Sequence, residues 1–136
     1  MIVVTGATGD VGRPLVELPV VDPADITEVA AEAPRDPAHT GRTYVLAGPV
    51  AVSPREQADA LSGVVGCPVG FVALSASGAR ARLVRFPPAE AVDGMLSVMG
   101  EPRAEERRVS PDVERVLGRG PRPFSAWAGR HAPAFR

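Results

Sequence analysis

The sequence contains no lysine and no asparagine, so all 15 of its basic residues are arginine. Without a lysine amino group, the chain cannot form a Schiff base or use lysine-assisted proton transfer. It has one cysteine, Cys67, which excludes an internal disulfide bond. Cys67 lies beside Pro68 without a catalytic partner nearby in the sequence, so we interpret it as a packing residue.

Long apolar runs and a large net charge are also missing. No run approaches the roughly 20 apolar residues that a membrane span needs, and no signal peptide is visible, so we expect a cytoplasmic protein without a membrane partner. The net charge is −1 at pH 7 and the isoelectric point is near 6.1, which gives no indication of a nucleic-acid partner. The length of 136 residues indicates one domain with a modest core.

A glycine-rich motif follows the first apolar run. Residues 2–5 are largely β-branched and predict a buried parallel strand. The next residues, 6–12, predict a turn that opens a helix, which is the context of a dinucleotide-binding fingerprint. The predicted cofactor-binding residues are Gly6, Ala7, Thr8, Gly9, Asp10, Val11 and Gly12.

The three glycines of this motif have distinct roles in that hypothesis. Gly6 permits a tight turn, Gly9 allows the backbone to approach a pyrophosphate, and Gly12 allows close packing of helix on strand. The backbone N–H groups of residues 8–11 would point at the phosphates, where a helix N-terminus favours negative charge.

Further elements are predicted along the rest of the chain. Asp22-Pro23 predicts the start of a helix that turns Ile26, Val29 and Ala30 inward. A capping box at Ser53–Glu56 predicts a second helix with Ala58, Leu61 and Val65 inward, ended by Gly66. Strands are predicted at 42–47 and 69–74, and mainly helical structure after residue 79.

The opening T-G-A-T-G-x-V-G-R-P-L-V-E resembles the start of NmrA-like NAD(P)-binding proteins, a branch of the atypical short-chain dehydrogenases. Similarity continues at 21–30, 41–49, 53–57, 116–119 and 123–128. The resemblance implies an α/β, reduced Rossmann-like fold: a short parallel sheet with flanking helices and a helical C-terminal region. We expect one domain, with a glycine-loop remnant at 1–17 and a C-terminal NmrA-like part at 18–136. It further implies NADP or NAD as a weakly bound cofactor.

The chain departs from the family between Glu17 and Leu18, where the family has several further strands. We therefore expect the first strand to lose both hydrogen-bonding partners and to be the least protected region of the chain; if it pairs in a new way instead, Thr43–Ala47 is the expected partner. Unpaired strand edges favour self-association or a partner chain.

Residues for catalysis are harder to find. The Tyr-x-x-x-Lys pair of many short-chain dehydrogenases is impossible without lysine, and we assign no catalytic residue and no metal ligand. Asp22 and Asp25 lie near the position, about 20 residues beyond the fingerprint, where an acidic residue binds the ribose; we interpret both as helix-cap residues. The resemblance implies a catalytically impaired NAD(P)-binding protein of oxidoreductase descent. The alternatives are a non-catalytic dinucleotide-sensing or interaction module and an inactive truncated paralogue.

Overall fold

The computed structural model describes residues 2–7, 16–84, 89–100 and 102–135. It contains a two-stranded parallel sheet, in which β1 (Ile2–Ala7) pairs with β2 (Val69–Leu74). The helices are α1 (Pro23–Glu32), α2 (Pro54–Val65), α3 (Ala76–Leu83), α4 (Ala89–Gly100), α5 (Asp112–Leu117) and α6 (Phe124–His131), with short 3-10 helices at Ala33–Arg35, Pro37–His39 and Ala132–Phe135. Parallel strands require a crossover connection, and α1 and α2 lie within it.

The partner of β1 corrects the sequence-based prediction. Ile2 lies opposite Val69 and the register continues to Ala7 opposite Leu74, so β1 is paired along its whole length. The predicted partner, Thr43–Ala47, forms no strand. β1 therefore has a hydrogen-bonding partner within the chain.

In the segment at 42–48, two backbone N–H groups donate hydrogen bonds outside a β-sheet. The N–H of Val45 donates to the Asp112 carboxylate at 2.8 Å, and the N–H of Gly48 donates to the carbonyl of Pro19 at 2.9 Å. An apolar pattern indicates which side chains suit a strand, but it does not indicate whether a neighbouring strand is available.

Helix α2 begins and ends as its sequence predicts. The Ser53 hydroxyl accepts the N–H of Glu56, and the Glu56 carboxylate accepts the N–H of Ser53 at 2.7 Å, which completes the capping box. At the other end, Gly66 has φ 76°, a left-handed conformation that favours glycine. These two signals are local, which is why sequence alone identified both.

The main core cluster lies where α2, β2 and α6 meet. Its buried members are Ala58 and Leu61 from α2, Val69 from β2 and Ala128 from α6. Of the predicted inward residues of α2, Ala58 and Leu61 are buried, whereas Val65 is only half-buried. Partly buried side chains pack around this cluster, among them Val64, Phe71, Phe124, Trp127 and Phe135.

Helix α1 buries a different face from the predicted one. Val29 is buried, but Ile26 is 43% exposed and Ala30 is exposed. Asp25 is instead fully buried. None of the described helices is long and apolar enough to cross a membrane.

Candidate functional site

The predicted glycine loop leaves the sheet at its carboxyl edge. Gly6 and Ala7 are the last residues of β1, opposite Ala73 and Leu74. The strand therefore continues through Gly6 and Ala7, where the sequence predicted the start of the turn. Thr8, Gly9, Asp10, Val11 and Gly12 lie outside the described residues. Ligands of open α/β sheets bind at this edge, because loops from neighbouring parallel strands converge there.

The second strand ends at the same edge and adds hydroxyl groups to it. Ser75 directly follows β2 and caps α3, with its hydroxyl accepting the N–H of Gly78 at 3.1 Å. The Ser77 hydroxyl lies 3.1 Å from that of Ser75. A Cβ at Gly78 would lie only 3.2 Å from the Ser75 oxygen, so glycine permits this close turn.

The chemistry of this edge suits a phosphate group. Helix α3 starts here, and the N–H groups of its first turn that the Ser75 cap does not use are donors of the kind that hold phosphate oxygens. One of the two serine hydroxyls donates to the other, which leaves one hydroxyl to donate to a ligand. Ser75 and Ser77 are not among the predicted site residues. The signal that could have found them is a serine placed directly after an apolar strand and before a helix.

Asp22 is held as a helix cap, as predicted. Its carboxylate accepts the N–H of Ala24 at 2.9 Å and forms an ion pair with Arg130. Burial disfavours the charged form of Asp22, but the Arg130 guanidinium and the Ala24 N–H outweigh that effect and lower its pKa. Asp22 is therefore ionised and fixed to the C-terminal segment.

Asp25 is not a cap, which corrects our prediction for it. Its carboxylate accepts the backbone N–H of Arg122 at 2.7 Å and Arg119 Nη2 at 2.8 Å, and it also pairs with the Arg122 guanidinium. Burial opposes ionisation of Asp25, yet these donors hold its pKa below the ordinary value.

Glu28 lies one turn further along α1 and completes the cluster. It pairs with Arg119 and, at 2.6 Å, with Arg122, and both guanidinium groups lower its pKa. We call this group the α1 ionic cluster: Asp22, Asp25, Glu28, Arg119, Arg122 and Arg130. It binds α1 to α6 and to the segment that leads into α6, and its carboxylates already have guanidinium partners.

Other titratable side chains form a smaller pair. The hydroxyl of Tyr44, the only tyrosine, lies 2.6 Å from His39 Nδ1, and both residues are half-buried. Across the described parts of the chain, no group of three or more His, Cys, Asp or Glu side chains is placed to hold a metal ion.

The chain has relatives among characterised enzymes. It is 38% identical over 116 residues to the (4-alkanoyl-5-oxo-2,5-dihydrofuran-3-yl)methyl phosphate reductase of Streptomyces griseus, covering 85% of this chain and 41% of that protein. It is 34% identical over 117 residues to the NAD(P)H azoreductase of Xenophilus azovorans, with the same two coverages. The chain is related to reductases. It spans about two fifths of the length of these curated relatives, and no family model matches it.

Solved structures show the fold. The triphenylmethane reductase of Citrobacter sp., complexed with NADP(H), aligns with a TM-score of 0.75 at 19% identity, over 96% of this chain and 44% of that one. The NADPH-dependent quinone oxidoreductase of Escherichia coli, complexed with NADPH, aligns with a TM-score of 0.76 at 22% identity, over 98% and 45%. The predicted α/β, reduced Rossmann-like fold with a helical C-terminal region is confirmed.

Proposed function

We propose that this chain binds NADP(H) or NAD(H) at the carboxyl edge of its sheet, through the loop Gly6–Gly12. The observation that carries the proposal is the placement of Gly6 and Ala7 at the end of β1, beside the end of β2 and the start of α3. The solved neighbours named above were determined with NADP(H) or NADPH, and one curated relative is an NAD(P)H azoreductase, which supports the same class of ligand.

We expect the interaction to be weak. The adenosine ribose of NAD is held by an acidic residue about 20 positions beyond the glycine loop, and the 2′-phosphate of NADP is held by a nearby arginine. Asp22 and Asp25 lie near that distance, 16 and 19 positions beyond Gly6, but the α1 ionic cluster engages both carboxylates. The pyrophosphate would therefore be held without the ribose contact, and we expect a dissociation constant weaker than about 1 μM, or about −8 kcal/mol.

For reduction we propose descent from an active enzyme, but not full activity. A reduced nicotinamide, when bound, supplies a hydride to an electrophilic atom of the substrate. The relatives act on different compounds, one on a phosphorylated dihydrofuranone and the other named for azo compounds. We propose that this chain descends from such a reductase. It is catalytically impaired, because it lacks the lysine that many short-chain dehydrogenases use for proton transfer.

A titration tests the proposal directly. NADPH and NADH are added to the purified chain, and binding is measured from the fluorescence of the reduced nicotinamide. Gly9→Val should abolish any binding, because a branched side chain blocks the approach of the pyrophosphate. Gly70→Val is the matched control: it makes the same change in β2, where a Cβ meets nothing within 4 Å. Equal loss in both folded variants, or no loss in Gly9→Val, would place the nucleotide elsewhere.

A further inference from the structure

A cleft lies between the segment at 42–48 and the turn before α5, and it is separate from the α1 ionic cluster. Its volume is about 540 Å³, within the range of roughly 300–1,000 Å³ that small-molecule sites occupy. The lining residues that matter for its chemistry are Val45, Val109, Arg108, Arg115, Asp112 and Glu105.

One side of this cleft is apolar and accessible. Val45 is 60% exposed and Val109 is 50% exposed, and both line the cleft. Covering exposed valine side chains with an aliphatic group is favourable by about 25 cal/mol for each Å² of apolar surface buried. The wall formed by these two residues can therefore take a short alkyl chain.

The carboxylate of Asp112 holds two sides of the cleft together, the segment that carries Val45 and the arginine of α5. It accepts the N–H of Val45 at 2.8 Å and pairs with Arg115 Nη1 at 2.9 Å. The hydrogen bond from Val45 is the main reason that the pKa of Asp112 lies below its ordinary value. Asp112 thus connects the valine wall to an arginine through one ionised group.

Two guanidinium groups are available to a ligand in this cleft. The Arg115 side chain is 68% exposed and contacts Asp112 through one nitrogen. Arg108 is exposed and forms no ion pair with any residue that the structure describes. Glu105 and Asp112 also line the cleft, and their carboxylates oppose an anion there.

We propose that this cleft binds a small alkyl phosphate, with the phosphate on Arg108 and Arg115 and the alkyl chain on Val45 and Val109. Guanidinium groups bind phosphate oxygens in pairs, and three oxygens can engage two guanidinium groups at once. A carboxylate offers two oxygens and a single negative charge, whereas a phosphate monoester offers three oxygens and a charge of about −1.5 to −2 at pH 7. This proposal does not depend on the proposed dinucleotide site.

The ligand class is tested by isothermal titration of the full chain with hexyl phosphate. Inorganic phosphate, hexan-1-ol and hexanoate serve as the other arms. We expect hexyl phosphate to bind at least about tenfold more tightly than each of them, which corresponds to about 1.4 kcal/mol. Equal affinity for inorganic phosphate would show that the valine wall is not used, and equal affinity for hexanoate would remove the preference for phosphate; either result overturns the proposal.

Variants then test the residues. Arg108→Gln should weaken hexyl phosphate about tenfold, whereas Arg107→Gln removes the same charge from the neighbouring position, which does not line the cleft, and should change the affinity less than about twofold. Glu105→Gln should strengthen binding about threefold, since it removes an opposing charge. A gain of affinity cannot result from a damaged fold. Equal losses in the two arginine variants, or no gain in Glu105→Gln, would contradict the assignment.

Discussion

Asp25 shows how a single buried carboxylate can organise a small domain. It is fully buried and accepts donors from both Arg119 and Arg122. Removing one partner of a buried ion pair costs about 3–5 kcal/mol when the remaining charge stays buried. Here the arginine side chains are 35% and 30% exposed, so water can solvate them.

We therefore predict that Asp25→Asn lowers the free energy of unfolding by about 2–3 kcal/mol. Urea denaturation monitored by circular dichroism measures the change. Glu28→Gln is the matched control, because Glu28 contacts the same two arginines but is 44% exposed, and its effect should be clearly smaller. Equal effects would mean that burial of Asp25 adds nothing.

The pH dependence of stability follows from three aspartate carboxylates, one of which is Asp25. The pKa values of Asp22, Asp25 and Asp112 are lowered in the folded state. A lowered folded pKa contributes stability above the unfolded value, near 3.8 for these groups, and this contribution is lost as the pH falls through the folded pKa. We predict constant stability from pH 7 to about pH 5 and a steep loss below pH 4. Urea midpoints between pH 3 and 7 measure this, and Asp25→Asn should make the acid limb less steep.

At the scale of elements, α2 offers a test with two opposite signs. Gly66 ends the helix with φ 76°, whereas Gly63 lies inside it, and a Cβ there meets nothing within 4 Å. Gly66→Ala should destabilise the protein by about 1 kcal/mol, because alanine is strained at positive φ. Gly63→Ala should stabilise it by about 0.5–1 kcal/mol through helix propensity. Thermal unfolding of both variants measures the difference, and changes of the same sign would contradict the assigned end of α2.

The elements that sequence predicted correctly are those specified by local signals. Asp22 before Pro23, the Ser53–Glu56 capping box and the glycine at position 66 each act within a few residues. The partner of β1 was missed because pairing depends on which strand lies beside it, and Thr43–Ala47 and Val69–Leu74 are both apolar. The polar face of α1 was missed because the apolar spacing of Ile26, Val29 and Ala30 does not show that Asp25 is buried.

That polar face left a signal in the sequence. Asp22, Asp25 and Glu28 recur every three residues, and Arg119 and Arg122 have the same spacing near the other end of the chain. Complementary charges at matching spacing can indicate packed segments, although the sequence does not say which arginines meet which acids. The cofactor-binding role of Gly6–Gly12 stays a prediction, and Ser75 and Ser77 could not be predicted with it because they reach the same edge only through the β1–β2 pairing.

At the scale of the whole molecule, the pairing of β1 with β2 places residues 2–7 beside residues 69–74, near the middle of the chain. In a parallel ladder, about half of the N–H groups of a strand donate to one neighbour. We predict that those amides of Ile2–Ala7 that face β2 exchange slowly with deuterium in a monomeric sample. Uniformly fast exchange across β1 would contradict the pairing. Exchange is measured by NMR, with the amides of Ala104, Glu105 and Arg107 in the exposed turn at 103–107 as the fast reference, since those of Arg103 and Glu106 are hydrogen-bonded.

The outer edges of the sheet lead to a last prediction, on self-association. Both strands of a two-stranded sheet are edge strands, and within the part of the chain that the structure describes no third strand covers them. Val72, in β2, is 43% exposed. Because such strands present unpaired N–H and C=O groups beside apolar side chains, we predict that the chain associates as its concentration rises. Analytical ultracentrifugation measures the association.

Val72→Arg should weaken this association, because a charge on an edge strand disfavours pairing with another copy. Val50→Arg, at a valine that is 56% exposed outside the sheet, should leave it unchanged. Association that resists Val72→Arg but responds to Val50→Arg would move the contact from the sheet to the loop at 49–52.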